Sequence, residues 1–199
     1  MHYLVYDLRT AQTELLSESG LDSTERAAVA RRGKRYLLMR SLLKRELSGR
    51  TGEAPENIRF HYSAEGKPLY DRQPFNISHS GDLFCIAFHH SDVGVDIERM
   101  RPLRHMQQLA RRIMCDAQYD AWLARGENCT EFFACWCAAE ALAKLHADSI
   151  WHAQQRPFLW REGNRIQPLF SNAPRVSIFT PADGFQGAVA VNEFNSENG

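Results

Sequence analysis

Two carboxylates stand at alternate positions in the segment Val93-Gly94-Val95-Asp96-Ile97-Glu98. In a β-strand, residues two apart point to the same face, so Asp96 and Glu98 are expected to project together. Two neighbouring carboxylates repel each other unless a cation lies between them. Mg²⁺ prefers carboxylate oxygens, water and substrate phosphates as ligands. The spacing is therefore compatible with a magnesium site, and equally with two solvated acids on an exposed strand.

A third carboxylate lies in a segment with helical periodicity. Aromatic and small apolar residues recur every three or four positions from about residue 130 to 147, which predicts an amphipathic helix. Glu140 and Lys144 lie four residues apart and share one face of it, in the favourable order for an ion pair. The pair is either a surface ion pair, worth about a few tenths of a kcal/mol, or an acid and a cation placed for chemistry.

A polar turn follows another predicted strand. The run Asn76-Ile77-Ser78-His79-Ser80-Gly81 offers hydroxyls, backbone N–H groups and an imidazole to an anion. Ser78 is a poor candidate for a nucleophile, because His79 is its direct neighbour and no oxyanion loop accompanies the pair. An ordinary turn is the alternative interpretation.

The charges are distributed unevenly along the chain. Lys plus Arg and Asp plus Glu each number 24 among the 199 residues, so the formal net charge is zero. However, the segment from Arg26 to Arg50 carries nine basic residues and one acid, Glu46. The remaining residues are correspondingly acidic. Overall neutrality therefore does not exclude a strongly anionic partner for the basic segment.

Hydrophobic periodicity predicts a mixture of helices and strands. The predicted helices cover residues 24–48, with Gly33 as the candidate interruption, 103–113, 116–124 and 130–147. The predicted strands cover residues 2–8, 57–63, 74–78, 83–89, 93–98, 157–161, 165–170, 176–180 and 187–191. A helix followed by strands, occurring twice, predicts an α+β fold with halves at 1–100 and 101–199. The polar tail 192–199 is expected to fray.

The order of these motifs resembles a known family. Gly66-Lys67-Pro68, the Asn76–Ser80 run, Gly94-Val95-Asp96-Ile97-Glu98 and the segment from Trp136 to Lys144 together resemble the Sfp-type 4′-phosphopantetheinyl transferases. The resemblance covers residues 24 to 148 and continues weakly into the final strands. It implies two similar α+β halves related by a pseudo-twofold, with the active site between them.

The resemblance also implies an activity and a set of residue roles. Such enzymes transfer phosphopantetheine from coenzyme A to a serine of an apo acyl or peptidyl carrier protein and release 3′,5′-ADP. Asp96, Glu98 and Glu140 would hold Mg²⁺. Glu140 would also serve as the base for the carrier serine, and Lys144 would contact the phosphates and orient the hydroxyl. The other residues expected to bind coenzyme A are Arg35, Arg40, Lys67, Ser78 and His79. Lys44 continues the basic pattern of the helix that carries Arg35 and Arg40.

One departure from the family pattern leaves alternatives open. The family motif usually carries a lysine directly before the helical glutamate, where this chain has Ala139, and the glycine that commonly follows the second lysine is missing. The loss of a cation near the phosphates would weaken coenzyme A binding or slow turnover. A coenzyme A-binding homologue with weakened or lost transfer activity is therefore the first alternative. A Mg²⁺-dependent phosphodiesterase or nucleic-acid enzyme is the second.

The remaining expectations concern the compartment and the partners. Five cysteines without a CxxC pair predict reduced thiols. No apolar run or signal-like start is apparent, so we expect a cytoplasmic protein with no membrane partner. We also expect a monomer that does not bind nucleic acid. Basic residues that would dock an acidic carrier protein follow the Asp96–Glu98 segment: Arg99, Arg101, Arg104, Arg111 and Arg112.

Overall fold

The computed structural model describes residues 2–155, 158–161, 165–168 and 174–192. The α-helices in these ranges are α1 (Ser23–Arg32), α2 (Lys34–Thr51), α3 (Met106–Ile113), α4 (Asp116–Ala124) and α5 (Cys129–Leu145). The first six strands are β1 (His2–Asp7), β2 (His61–Tyr62), β3 (Pro68–Leu69), β4 (Phe75–Ser80), β5 (Leu83–Phe88) and β6 (Val93–Arg99). The last four are β7 (Phe158–Arg161), β8 (Arg165–Pro168), β9 (Arg175–Phe179) and β10 (Phe185–Val191). Short 3-10 helices lie at Glu18–Gly20 and Ile150–Gln155. The predicted α+β class is confirmed.

The strand predicted at 57–63 is largely wrong. The structure has only the two-residue strand β2 there, paired with β3, which was not predicted. Ile58 and Phe60 alternate as a strand would, and both are buried. They pack into the core beneath α2, so the alternation reflects burial without a strand at that position. Parts of the predicted strands 157–161 and 165–170, and most of the tail, lie outside the described residues.

The basic segment forms two helices because the chain turns at Gly33. Asp22 and Glu25 begin α1 through a reciprocal capping box, in which each side chain accepts the other residue's backbone N–H. Gly33 ends α1 with a φ of 74°, and α2 begins at the next residue. A positive φ is readily adopted by glycine and not by other residues. The predicted interruption at Gly33 is therefore confirmed, and α1 folds back against α2.

Two antiparallel sheets carry the main helices. A three-stranded sheet has the order β1-β5-β4, and a five-stranded sheet has the order β6-β10-β9-β8-β7. Leu42, Leu43 and Leu47 of α2 pack in one core cluster with strands β4 and β5. Helix α5 lies against β6 and β10 in a second cluster. Each sheet is thus covered by one amphipathic helix, while a pseudo-twofold relation between the halves stays a prediction.

A third apolar cluster joins the two sheets. It contains Leu83, Cys85 and Ala87 from β5, together with residues of β6 and β10. Strand β6 belongs to the predicted first half of the chain, residues 1–100, but it pairs with β10, which belongs to the predicted second half. As a result, the strand that carries Asp96 and Glu98 lies between β4 on one side and α5 on the other.

The cysteines and the apolar content of the helices bear on two further predictions. All five cysteines are free thiols, as predicted. Among the described residues, no helix has both the length and the apolar content that crossing a membrane requires.

Candidate active site

Strand β6 presents its two acids to the same side, as predicted. Asp96 is only 4% exposed, and Glu98 is partly buried. Asp96 Oδ1 accepts hydrogen bonds from Ser78 Oγ and from Lys144 Nζ, both at 2.8 Å. Its second oxygen, Oδ2, is buried without a hydrogen-bond partner. An unpaired buried carboxylate oxygen is costly, so this atom marks a place where a further donor or a cation would bind.

Helix α5 brings Glu140 and Lys144 to these acids because Gly94 lets it approach β6. A Cβ on Gly94 would overlap the Ala141 carbonyl oxygen and lie 2.6 Å from the Leu145 amide nitrogen. Real Cβ atoms do not come this close to backbone atoms, so residue 94 must lack a side chain for α5 to lie where it does. The close approach lets Lys144 form its ion pair with Asp96 and leaves Glu140 half-buried beside it.

The carboxylates influence one another's protonation. Burial raises the pKa of Glu140, and the nearby charge of Asp96 raises it further against the opposing effect of Lys144. Burial and Asp96 likewise raise the pKa of Glu98, although the hydrogen bond from Ser80 works in the other direction. Burial disfavours the Lys144 ammonium, but the ion pair with Asp96 outweighs it and raises the pKa of Lys144. The ion pair with Asp96 thus favours the charged form of Lys144, whereas burial and Asp96 favour the protonated form of Glu140.

The donor set fits a hard divalent cation. No group of three or more His, Cys, Asp or Glu side chains among the described residues is already arranged to hold a metal ion. Mg²⁺ does not require such a cage, since it commonly binds one or two carboxylates and takes its other ligands from water and phosphates. The unpaired Asp96 oxygen and the mutual repulsion of the acids both favour added positive charge.

A cleft of about 540 Å³ lies beside α1 and α2, and a second cavity, which Lys144 lines, shares Gly66, Pro68 and Ile77 with it. The cationic wall of the cleft is formed by Arg31 and Arg32 of α1 and Arg40 of α2. Tyr36 lies between two of these guanidinium groups, with Arg32 5.5 Å and Arg40 5.1 Å from its ring centroid. Arg40 Nη1 is buried without a hydrogen-bond partner. A guanidinium N–H left unpaired in a cationic cleft is suited to bind an anion such as phosphate.

His79 links the cleft to the acidic cluster. It lines the cleft together with Ile77, while its strand neighbour Ser78 faces Asp96. Partial burial lowers the pKa of His79, and the charges of Arg35, Lys144 and Arg32 lower it further. His79 is therefore within electrostatic reach of both the basic wall and Lys144.

Lys44, which the sequence places with Arg40 in the basic pattern, is not available to a ligand. It is fully buried, and its Nζ donates to Glu25 Oε2 at 2.8 Å and to the Gly20 carbonyl at 2.9 Å. Arg40 Nε lies 3.4 Å from the other Glu25 oxygen. Glu25 therefore ties α1 to α2 through two cations, and only Arg40 of the two reaches the cleft.

A Lys44→Met substitution is expected to destabilise the fold by about 1–3 kcal/mol, because it removes one of the two cations that pair with the buried Glu25 carboxylate. Thermal or urea unfolding measures this loss. Lys34→Met removes the same charge from an exposed position of the same helix and should change stability by less than about 0.5 kcal/mol. Equal stability of the two variants would contradict a structural role for Lys44.

The structure places three other predicted ligands against the protein itself. Arg35 pairs with Asp82 at 3.0 Å and donates to the Gly81 carbonyl. Lys67 Nζ donates to the Lys144 carbonyl at 2.9 Å and to the Val93 carbonyl at 3.3 Å. Ser78 bonds Asp96. Their roles toward coenzyme A stay predictions.

Sequence reasoning did not single out Arg31, Arg32 or Tyr36 as cleft residues. Within α2 the signal was the four-residue spacing of Tyr36 and Arg40, which places a cation beside an aromatic ring. Arg32 ends the preceding helix and reaches the same ring across the turn at Gly33, which helical spacing does not predict.

Ala139 points into the protein. It is 2% exposed and belongs to the core cluster of α5, whereas Glu140, the next residue, is half-exposed. The methyl group at this position therefore fills part of the core. We expected that alanine in place of the family's lysine would remove a cation from the phosphate site. The buried position of Ala139 does not support that expectation.

Comparison with known proteins adds independent information. A family model described as the 4′-phosphopantetheinyl transferase superfamily matches residues 92–192. The 4′-phosphopantetheinyl transferase HetI of Nostoc sp. (strain PCC 7120) is 29% identical over 144 residues, which is 68% of this chain and 61% of the relative. The putative 4′-phosphopantetheinyl transferase slr0495 of Synechocystis sp. (strain PCC 6803) is 32% identical over 144 residues, 68% of this chain and 58% of the relative. The 4′-phosphopantetheinyl transferase Sfp of Bacillus subtilis (strain 168) is 31% identical over 119 residues, 57% of this chain and 50% of the relative.

These matches cover only part of the relatives. The chain spans 58% to 61% of the length of the first two. The region matched by the family model contains Asp96, Glu98, Glu140 and Lys144, the four residues that meet where α5 approaches β6. The model covers just over half of the chain, and the resemblance drawn from the motifs is confirmed: the protein belongs to the 4′-phosphopantetheinyl transferase superfamily.

Proposed function

We propose that this protein transfers the 4′-phosphopantetheine group of coenzyme A to a serine of an apo acyl or peptidyl carrier protein and releases 3′,5′-ADP. The observation that carries the proposal is a cation-lined cleft that shares Gly66, Pro68 and Ile77 with a second cavity, which is lined by Lys144 of the carboxylate–lysine cluster. Coenzyme A combines a 3′-phosphate, an adenine and a diphosphate. The arginines of the cleft would bind the 3′-phosphate, and the Tyr36 ring would stack on the adenine. The cluster around Asp96 would bind the diphosphate together with Mg²⁺.

The proposed reaction needs a base and a charge clamp. The carrier serine oxygen forms a bond to the phosphorus nearer the pantetheine, the phosphoanhydride bond breaks, and its electron pair leaves on 3′,5′-ADP. Glu140 accepts the serine proton, directly or through water, because it is the carboxylate that α5 brings beside Lys144 and Asp96. Lys144 stays protonated and stabilises the phosphoryl oxygens.

Mg²⁺ would be held by Asp96 and Glu98, with Glu140 as the third predicted ligand. When bound, it would neutralise charge on the diphosphate. Because the described acids form no closed cage, we expect the ion to bind together with the substrate. The metal should consequently bind much more tightly in the presence of coenzyme A than in its absence.

Arg40 is expected to recognise the 3′-phosphate. Removing one charged contact of about 1.5–3 kcal/mol in Arg40→Met should raise KM for coenzyme A roughly 10- to 100-fold, with a much smaller change for dephospho-coenzyme A, which lacks that phosphate. Initial rates with both substrates measure the difference. Equal losses with the two substrates would assign Arg40 to another part of the ligand or to the fold.

We propose that the carrier protein docks on the basic surface after β6. The five arginines predicted for this role, which are Arg99, Arg101, Arg104, Arg111 and Arg112, are all exposed. The Arg112 guanidinium lies 3.9 Å from the ring centroid of Trp151, which is itself 44% exposed. A surface that combines positive charge with an exposed aromatic ring suits an acidic partner.

Charge reversal at Arg104 and Arg111 is expected to raise KM for an acidic carrier protein on the order of tenfold at low salt, because electrostatic steering is lost. KM for coenzyme A should not change. Arg104→Glu alone is the cleaner variant, since Arg111 also lies over the Tyr119 ring. Lys34→Glu, an exposed charge reversal at the start of α2, is the matched control. An unchanged carrier KM in the reversed variants would reject this docking surface.

The remaining expectations are part of the same proposal. One chain supplies every residue assigned here, which is consistent with a monomer. Free cysteines favour a reducing, cytoplasmic compartment. Heat protection separates the proposal from the nucleic-acid alternative, because a bound substrate raises the melting temperature by mass action. Coenzyme A with Mg²⁺ should raise it, and single-stranded oligonucleotides should not. Coenzyme A binding without transfer to any carrier would instead favour the inactive homologue.

A further inference from the structure

Strands β4 and β6 lie at the edges of different sheets and are joined through side chains. The backbone N–H groups of Val95, Ile97 and Arg99 on β6 point away from β10 toward β4. They donate in turn to Asn76 Oδ1 at 2.9 Å, Ser78 Oγ at 3.3 Å and Ser80 Oγ at 3.0 Å. Edge-strand N–H groups need partners when they are buried. Alternate side chains of β4 supply them in register.

Ser78 and Ser80 each make a second hydrogen bond, which the structure does not give to Asn76. Ser78 Oγ donates to Asp96 Oδ1 at 2.8 Å, and Ser80 Oγ donates to Glu98 Oε2 at 2.7 Å. A hydroxyl can accept one hydrogen bond and donate another. Each serine therefore accepts an N–H from β6 and donates its own hydrogen to a β6 carboxylate.

We propose that Ser80 is a positioning residue that fixes the Glu98 carboxylate for Mg²⁺ binding at the diphosphate. This inference rests on the proposed function. A glutamate side chain has several rotatable bonds, and holding it in one geometry costs conformational entropy. The Ser80 hydrogen bond meets that cost during folding, so the carboxylate is already oriented when the metal and the substrate arrive. Ser80 is buried, at 9% exposure, which excludes most competition from water.

Asn76 provides the matched control for this role. It belongs to the same strand, is also buried, and accepts an N–H from the same edge of β6. The hydrogen bonds that the structure gives its side chain involve no carboxylate. Loss of the Asn76 side chain therefore weakens the junction of the sheets without touching Glu98, whereas loss of the Ser80 hydroxyl affects both.

Mn²⁺ binding, measured by electron paramagnetic resonance on the full chain with coenzyme A and without a carrier protein, tests the proposal. Ser80→Ala should raise the Kd for Mn²⁺ roughly 10- to 100-fold, as is typical when a metal ligand loses its supporting partner. Ser80→Thr keeps the hydroxyl and should restore binding to within about threefold of the wild type. Asn76→Ala should lower the melting temperature while leaving the Mn²⁺ Kd unchanged. Ser80→Cys, whose thiol donates weakly, should also weaken Mn²⁺ binding and replaces Ser80→Ala if that variant does not fold.

The outcomes separate this inference from the proposed function. Normal Mn²⁺ binding by the wild type together with unchanged binding by Ser80→Ala or Ser80→Cys would overturn the role of Ser80 alone. Equal weakening in Asn76→Ala would also overturn it, since the effect would then come from the joined strands. Absence of Mn²⁺ binding by the wild type would overturn the metal site and this inference together.

Discussion

A Glu140→Gln variant is expected to lose about two to four orders of magnitude in transfer rate, which is the range that a positioned general base contributes. Glutamine keeps the size and shape of the side chain and cannot accept the serine proton. The pKa of Glu140 is raised in the fold, so its ionised form is disfavoured there relative to the unfolded chain. The neutral variant should therefore melt at the same temperature as the wild type or higher. Single-turnover rates with saturating coenzyme A, beside a melting curve, measure both effects.

Two controls separate the loss of this carboxylate from loss of charge elsewhere and from loss of coenzyme A binding. Glu14→Gln removes a charge from an exposed position and should retain full activity. The Glu140→Gln variant should still be protected against heat by coenzyme A, because the arginines of the cleft are unchanged. A Glu140→Gln variant with more than about a tenth of the wild-type rate would exclude Glu140 as the base, since such a residue contributes at least a hundredfold.

The second large effect is expected at Gly94. In Gly94→Ala the new Cβ would overlap the Ala141 carbonyl oxygen and crowd the Leu145 amide. Both atoms belong to the backbone of a helix, so a rotamer change cannot relieve the overlap and α5 must move. Overpacking of this kind costs about 3 kcal/mol or more, which corresponds to a drop in melting temperature of roughly 6–12 °C for a chain of this size. Displacement of Glu140 and Lys144 by about 1 Å would also reduce the transfer rate on the order of a hundredfold.

Gly49→Ala is the control for the chemical change itself. Gly49 lies in α2, and a Cβ added there meets no atom within 4 Å. Alanine has the higher helix propensity, so this variant should be as stable as the wild type or about 1 kcal/mol more stable. If Gly94→Ala behaved like Gly49→Ala in thermal unfolding, the close packing of α5 against β6 would be refuted.

Local periodicity was sufficient to predict which charged residues share a face within one element. The two-residue spacing of Asp96 and Glu98 depends only on strand geometry, and the four-residue spacing of Glu140 and Lys144 depends only on helix geometry. Both patterns are internal to one element, and the structure agrees with both. What periodicity could not predict is that the two elements meet, because their approach depends on the absence of a side chain at Gly94.

The fate of the basic residues could not be predicted in the same way. Lys44 and Arg40 lie one turn apart, and both contact Glu25 in the preceding helix. The Lys44 ammonium is enclosed by its protein partners, whereas Arg40 keeps a guanidinium nitrogen without a partner. The position of Glu25 follows from the turn at Gly33, and it is a tertiary property. Arg35 and Lys67 show the same limitation, because both bind backbone carbonyls that are distant in sequence. A basic residue in a motif predicts charge, and only the packed structure shows which charges remain available to a ligand.

The most direct test of the account is the intact mass of a carrier protein after incubation with the purified chain, Mg²⁺ and coenzyme A. A panel of apo acyl and peptidyl carrier proteins should be used, with a serine-to-alanine version of each as the control. We predict that at least one carrier gains the mass of a single phosphopantetheine group, that its alanine version does not, and that an equal amount of 3′,5′-ADP appears. If coenzyme A protects the protein against heat and yet every carrier keeps its original mass, the chain would be a coenzyme A-binding homologue and the proposed transfer would be contradicted.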